Sequence, residues 1–370
     1  MFNHDRTVCV VGGGPAGLAA AIALRREDSA VTVVDCAVPP VDKACGEGLM
    51  PDSVSALAGL GIEIPADVGF TFRGIRFADE HSLVSADFPN GVAKGVRRIA
   101  LHQLLIEHAV RQGISLIWNA KHVRMVEGGV SVDGQLIEAQ LIVGADGQNS
   151  QIRQQAALHQ VTQEKRRYGF RQHYRMTPWS AYMELHWGPS SQIYVTPIAP
   201  DEICVAAISR DPKVRLQDAL RDFPQLNRRL KDAVPRSQEM GALSVTRSLR
   251  RVQRDKVVLV GDASGSIDAI TGEGMCLAFK QALALAAAVR AGDIRQYQAL
   301  HRALMKRPQT MSSLMLTLER NRQIQRRALA SLTRHPEIFE SLLAIHVGAS
   351  SFRELCSWRL LQFGRAFLAA

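Results

Sequence analysis

The chain has 370 residues, 46% of them apolar, and a formal net charge of +10. That length and apolar content suffice for about two or three domains around a sizeable core and exclude a disordered chain. Six scattered cysteines (Cys9, Cys36, Cys45, Cys204, Cys276 and Cys356) without a C-x-x-C pair argue against a disulfide scaffold and a structural zinc site.

No apolar run reaches the roughly 18 residues that a membrane-spanning helix needs. A core strand opening near Thr7 leaves no room for a cleavable signal, so a cytoplasmic location is expected. Residues 290–370 hold 13 Lys/Arg against 5 Asp/Glu. This asymmetry permits peripheral contact with an anionic membrane as readily as a plain solvated basic face. No stretch interleaves aromatic and basic residues as a nucleic-acid surface would, so no nucleic-acid partner is expected.

In chain order, Thr7–Val11 is a short β-branched strand of the buried parallel kind. Gly12-Gly13-Gly14-Pro15-Ala16-Gly17 follows at once as G-x-G-x-x-G, then a helix over 18–26, a strand over 30–34 and the acid Asp35. Gly12 allows the tight turn, Gly14 lets a pyrophosphate approach the backbone, and Gly17 lets helix and strand pack closely. The helix N-terminus attracts phosphate, and an acid about 20 residues on binds ribose hydroxyls. Cys45-Gly46-Glu47-Gly48 forms a loop before a helix opened by Pro51, with glycines that allow a backbone to press on a flat ring.

Strands over 69–77 and 82–88 form a hairpin, and Val96–Leu105 leads into a helix that ends near Gly113. A strand over 114–118 and a meander over 121–139 follow. Leu141–Gly144 is a buried strand that ends in Asp146-Gly147, with Ser150 opening a helix. Strands over 168–176, 181–187, 192–197 and 202–209 form one open antiparallel sheet, and Pro224 splits a helical stretch over 216–230. Val257–Val260 runs into Gly261-Asp262-Ala263, then Gly272-Glu273-Gly274 opens an Ala/Leu helix to about Arg290. Beyond it the chain is helical, with Met311, Leu314, Met315 and Leu318 on one side, and Pro308 and Pro336 are expected to break it. That apolar stripe is read as core packing rather than a membrane anchor.

Three motifs thus stand in fixed order: the first glycine turn, Gly144-Ala145-Asp146-Gly147 with Ile152-Arg153, and Gly261-Asp262-Ala263-x-Gly265 with Thr271-Gly272-Glu273-Gly274. Together they resemble the FAD-dependent family that contains the class A flavoprotein monooxygenases and the geranylgeranyl reductases, over roughly residues 5–290. The resemblance implies an α/β fold: a Rossmann-like FAD-binding domain of the p-hydroxybenzoate hydroxylase type, an inserted antiparallel-sheet substrate domain and C-terminal helices. It divides the chain into FAD-binding segments 1–68, 96–164 and 246–300, substrate-domain segments 69–95 and 165–245, and a helical region 301–370. It also implies cofactor contacts at Gly12, Gly14, Ala16, Gly17, Asp35, Cys45, Gly46, Arg98, Asp146, Gly261, Asp262, Gly272 and Gly274. Arg98 matches the arginine over the flavin, Asp146 the acid tied to cofactor and nicotinamide use, and Asp262 the acid on the ribityl side.

The departures divide the family. Hydroxylases carry His and Pro where this chain has Gly265 and Ala269, and Cys45-Gly46 is similar to a reductase loop. The aromatic-rich sheet segment of reductases and halogenases is replaced by Tyr194-Val195-Thr196-Pro197. The leading expectation is a monooxygenase with NADH or NADPH as transient reductant, which hydroxylates a lipophilic or aromatic small molecule through a flavin C4a-hydroperoxide. Tyr168, Phe170, Tyr182, Trp187 and Tyr194 are expected to form one aromatic face of the substrate domain, as a pocket wall or simply as core. The alternatives are a reductase of isoprenoid or polyene double bonds, with Cys45 the candidate catalytic group, and a non-catalytic flavoprotein. His102, His173 and His186 read as structural, and no catalytic acid or base is assigned.

Overall fold

The computed structural model describes residues 6–354, so Cys356 and the end of the basic C-terminal region lie outside it. The β-branched runs pair as expected of strands buried on both faces. Ser115–Ile117, Ser29–Val34, Arg6–Val11, Leu141–Gly144 and Val257–Leu259 lie side by side and parallel, and Gln253–Arg254 adds an antiparallel edge. Pro15–Arg25 packs between this sheet and the helices Arg98–Arg111 and Gly274–Arg290. A meander of Val123–Val126, Gly129–Val132 and Gln135–Glu138 adds Val130 and Val132 to the same core.

The second large sheet has eight strands. Gly74–Ala78 and Leu83–Asp87 form the hairpin at one end, and Gly74–Ala78 pairs in parallel with Tyr182–Trp187. Ser191–Ala199, Glu202–Ser209 and Val161–Arg175 continue it antiparallel. A long strand, Met240–Leu249, pairs with Val161–Arg175; Leu243, Val245 and Leu249 alternate with Ser244, Thr246 and Ser248, with Arg247 interrupting the apolar row.

Both faces of this sheet are covered. Phe170, Tyr174, Ile203, Val205 and Ala207 meet the helices Leu216–Leu220 and Pro224–Leu230 on the outer face. Leu185, Trp187, Tyr194, Ala206 and Ile208 meet Ile270, Met311, Met315 and Ile345 on the inner face. The helices Arg322–Arg334 and Pro336–His346 extend this layer over the hairpin, with Leu329, Leu332, Phe339 and Leu343 against Phe72, Ile75 and Val84. Each such side chain contributes about 1.5–3 kcal/mol on burial. The apolar stripe on Gln296–Glu319 is therefore core: Met311 and Met315 are buried, and Leu314 alone of the four is exposed.

Two expectations need correction. Pro308 does not break its helix. Gln296–Glu319 runs through it, because buried Met305, Pro308, Met311 and Met315 share the face packed inward and hold the turn that lacks one N–H. The five rings also do not share a face. Strand alternation sends Trp187 and Tyr194 inward, and Tyr168, Phe170 and Tyr182 outward.

Candidate functional site

The glycine motifs meet through contacts that only glycine permits. A Cβ at Gly12, whose φ is +115°, would lie 2.3 Å from the Ala145 carbonyl oxygen, and one at Gly17 would lie 1.7 Å from that of Gly12. Gly261 has a φ of +58°, and a Cβ there would lie 2.6 Å from that of Ala16. The first motif thus abuts both the second and the third. Gly13 is equally constrained, because Trp118 occupies the space a side chain would need, at 2.2 Å. At Gly14, Gly46, Gly147 and Gly274, by contrast, a Cβ would meet nothing within 4 Å. These four positions face open space, so the backbone there can be approached closely.

The candidate acids differ in their surroundings. Asp35 accepts from Gly13 N–H at 2.5 Å and from Ala37 N–H at 2.7 Å, so it holds the glycine turn and keeps lone pairs free on both oxygens. Asp146 accepts from Ser150 Oγ at 2.5 Å, Gln151 N–H at 2.7 Å and Ile152 N–H at 3.1 Å, and so caps the helix Gln151–Gln155. Arg153, fully buried, donates to the carbonyls of Ala263 and Gln148 and ties the second motif to the third. Asp262 is exposed, yet protein rings it closely enough that desolvation pushes its carboxyl up against the pull of Arg98 and Lys43. A group that solvent reaches inside a ring of protein lines a cleft. Arg98 faces the same cleft, and its Nε is buried without a hydrogen-bond partner.

The Cys45 loop is the other wall. Inner-face residues His173, Cys204 and Thr196 are register neighbours across three strands. Each grips one residue of the loop: Cys204 Sγ donates to the Cys45 carbonyl at 3.6 Å, Thr196 Oγ1 to the Gly46 carbonyl at 2.7 Å, and His173 Nε2 meets Glu47 Oε2 at 2.7 Å. Glu47 is 1% exposed and holds a left-handed φ of +59°, a strain of about 1–3 kcal/mol for a residue with a side chain. Its other oxygen accepts from Arg98 N–H at 2.9 Å. Cys45 is half-buried, and desolvation pushes its thiol up, with Glu47 adding to the effect and Arg98 opposing it. The sulfur is therefore a thiol, not a thiolate, at neutral pH.

His173 and Glu47 were not marked by spacing in the chain; only the fold joins them. The carboxylate, the imidazole and Cys204 Sγ lie within 4.8 Å of one another, near enough for a cation. Their protonation does not suit one. Arg97 Nη2 at 2.8 Å and Arg171 Nη1 at 3.0 Å both donate into His173 Nδ1, so Nε2 must carry the proton and has no lone pair for a metal. His102 is similarly committed, between the Gly13 carbonyl at 2.8 Å and Val41 N–H at 3.2 Å, and burial lowers its pKa. His186 pairs with Glu184 at 3.0 Å on the outer face.

With this geometry, the comparisons are consistent. The family described as FAD binding domain matches residues 5–292, and the chain belongs to it. It is 25% identical over 360 residues to the menaquinone reductase of Mycolicibacterium smegmatis, covering 87% of both chains. It is 26% identical over 299 residues to the digeranylgeranylglycerophospholipid reductase 2 of Methanopyrus kandleri, covering 72% of both. To the 3-demethoxyubiquinol 3-hydroxylase of Escherichia coli it is 31% identical over 178 residues, 43% of this chain and 45% of that one. In structure it resembles a flavoprotein/dehydrogenase from Cytophaga hutchinsonii, with a TM-score of 0.79 at 18% identity over 93% of each chain. The fold is thus the α/β flavoprotein hydroxylase type with antiparallel sheets. Among the described residues no helix is long and apolar enough to cross a membrane.

Proposed function

We propose that the chain is an FAD-dependent reductase that adds two hydrogens across a double bond of a polyprenyl lipid. The observation that carries this reading is the span of similarity. The relatives named as reductases align over 87% and 72% of the chain, and the hydroxylase over 43%. Menaquinone and digeranylgeranyl lipids share a polyprenyl chain.

The residues fit the group. Gly12, Gly14, Ala16 and Gly17 would cradle the pyrophosphate at a helix N-terminus, and Asp35 would take the adenosine ribose. Gly261 and Asp262 would meet the ribityl chain, Gly46, Gly272 and Gly274 the ring system, and Asp146 would keep the second motif in place. The buried, unpartnered Nε of Arg98 would find its acceptor there. Bound FAD supplies a two-electron hydride, drawn from NADH, NADPH or another donor. Cys45 Sγ, held as a thiol, supplies the balancing proton to the second carbon and recovers it from solvent. The packing behind the loop is apolar, with Met183 Sδ and the buried Phe72 Cζ 3.0 and 3.7 Å from the Cβ position of Gly48.

A second reading, NAD(P)H-dependent hydroxylation of a lipophilic or aromatic small molecule, is favoured by the 31% identity to the hydroxylase over its shorter span. The mass of the product decides between the two. Incubation of FAD-loaded protein, reductant and a geranylgeranyl lipid should yield a product with two added hydrogens, whereas a product with one added oxygen would favour the second.

A further inference from the structure

We propose that Glu47 and His173 form a positioning couple that fixes the Cys45 loop against the substrate sheet, with His173 Nε2–H as the donor to the Glu47 carboxylate. The inference rests on the reading of that loop as the cofactor-side wall.

All the polar groups of Glu47 are engaged. Its N–H donates to Cys45 Sγ at 3.4 Å, its carbonyl accepts from Val96 N–H at 2.9 Å, one carboxylate oxygen accepts from Arg98 N–H, and the other faces His173 Nε2. One residue thus touches the sulfur of Cys45 and the backbone of Arg98 at once. Its carboxylate partners, Arg98 N–H, His173 Nε2–H and the Cys204 thiol, are all donors, so an acceptor-only side chain is required. A left-handed backbone at a fully buried glutamate persists only where its surroundings over-determine it. Here they do, through the inner-face row of His173, Cys204 and Thr196.

His173 is itself locked. Arg97 and Arg171 both donate into Nδ1, and Ser237 Oγ lies 3.1 Å from the same nitrogen. The two guanidiniums are balanced by Glu202 at 3.5 Å and Asp42 at 2.6 Å. A second proton on His173 would point at both guanidiniums. The ring therefore keeps one tautomer, and its role is to transmit the position of the sheet to the loop.

A glutamine reproduces this pattern without titrating: its carbonyl accepts from the arginines and its NH₂ donates to Glu47. The test uses FAD-loaded full-length protein and three variants, His173→Gln, His173→Leu and Glu47→Gln. The readouts are the rate of iodoacetamide alkylation of Cys45 by peptide mass spectrometry as a function of pH, and FAD affinity. His173→Leu and Glu47→Gln should each raise the alkylation rate by about tenfold or more, because each leaves buried donors or acceptors unpaired. His173→Gln should keep the wild-type rate and pH profile. The couple is overturned if His173→Gln is as impaired as His173→Leu, if it changes the pH profile, or if neither His173→Leu nor Glu47→Gln alters Cys45 reactivity. Should His173→Leu fail to fold, Glu47→Gln against His173→Gln decides alone. Faster alkylation with unchanged FAD affinity would sustain the couple and count instead against the placement of the loop beside the cofactor.

Discussion

His173 Nε2 lies 2.7 Å from Glu47 Oε2, with both residues almost wholly buried and one on each side of the junction between the dinucleotide fold and the antiparallel sheet. The contact shows how the chain builds its cleft. A sheet of one origin grips a loop of the other through a row of cross-strand neighbours, and the cleft opens beside them. The consequences can be measured one at a time.

The glycines of the first motif should separate folding from cofactor retention. Gly14 faces open space, so Gly14→Val should leave the melting temperature of the FAD-free protein unchanged and abolish the yellow colour. Gly17→Ala should instead destabilise the fold by about 1–3 kcal/mol or more, because its Cβ collides with the Gly12 backbone. Flavin-to-protein ratios and thermal melts of the FAD-free forms report the two effects. A Gly14→Val protein at full flavin occupancy would show that the pyrophosphate lies elsewhere.

Asp262 is exposed within a ring of protein, and a hydrogen bond with Gln148 is the one side-chain hydrogen bond it makes to another element among the described residues. Asp262→Ala should therefore weaken FAD binding by about ten- to a hundredfold, as the loss of charge-assisted hydrogen bonds requires, at little loss of fold stability. Titration of the FAD-free protein with FAD, followed by flavin fluorescence, measures it. An unchanged dissociation constant would remove Asp262 from the site.

Cys45→Ser tests the proton donor. A hydroxyl gives up its proton far less readily than a thiol, so turnover should fall by about a hundredfold or more while flavin occupancy holds. Normal turnover would return Cys45 to the role of a small filler.

The loop before Gly274–Arg290 carries a pH signature. Glu273 is buried beside Asp52, and desolvation pushes its carboxyl up to about 8, against the pull of Arg307 at 3.0 Å. Its folded pKa lies above the unfolded one, so the folded state binds the extra proton. Stability from this group is full below about 4.5 and is lost as pH rises toward 8. His346 acts oppositely: burial lowers it to about 4, so its contribution rises with pH between 4 and 6.5. The two are neighbours, with His346 Nδ1 3.7 Å from Glu273 Oε2; they offset each other in mildly acidic solution, and above it Glu273 is the member of the pair that still titrates. Glu273→Gln should flatten the decline in melting temperature from neutral to mildly alkaline pH. Parallel pH–melting curves for variant and wild type would contradict this assignment.

The dinucleotide half was legible because its constraints are local. A β-branched strand, a glycine turn and a helix fit within Thr7–Asp35, and the two later motifs repeat the strand-to-turn form. The grip on the Cys45 loop was not legible. Glu47 and His173 are 126 positions apart, and strand register alone places His173, Cys204 and Thr196 in one row. The aromatic residues show the same limit. Alternation separates two faces of a sheet, but only packing tells which face meets the cofactor side, and three of the five rings lie on the other. Pro308 shows the converse, a local rule overridden by a buried face.

The most direct test of the reductase reading is anaerobic. FAD-loaded protein would be reduced in the absence of oxygen and mixed with a geranylgeranyl lipid that carries no quinone, and flavin absorbance followed through one turnover. The reading predicts that the lipid alone reoxidises the flavin and gains two hydrogens. A flavin that stays reduced until oxygen is admitted, with labelled oxygen then found in the product, would contradict it.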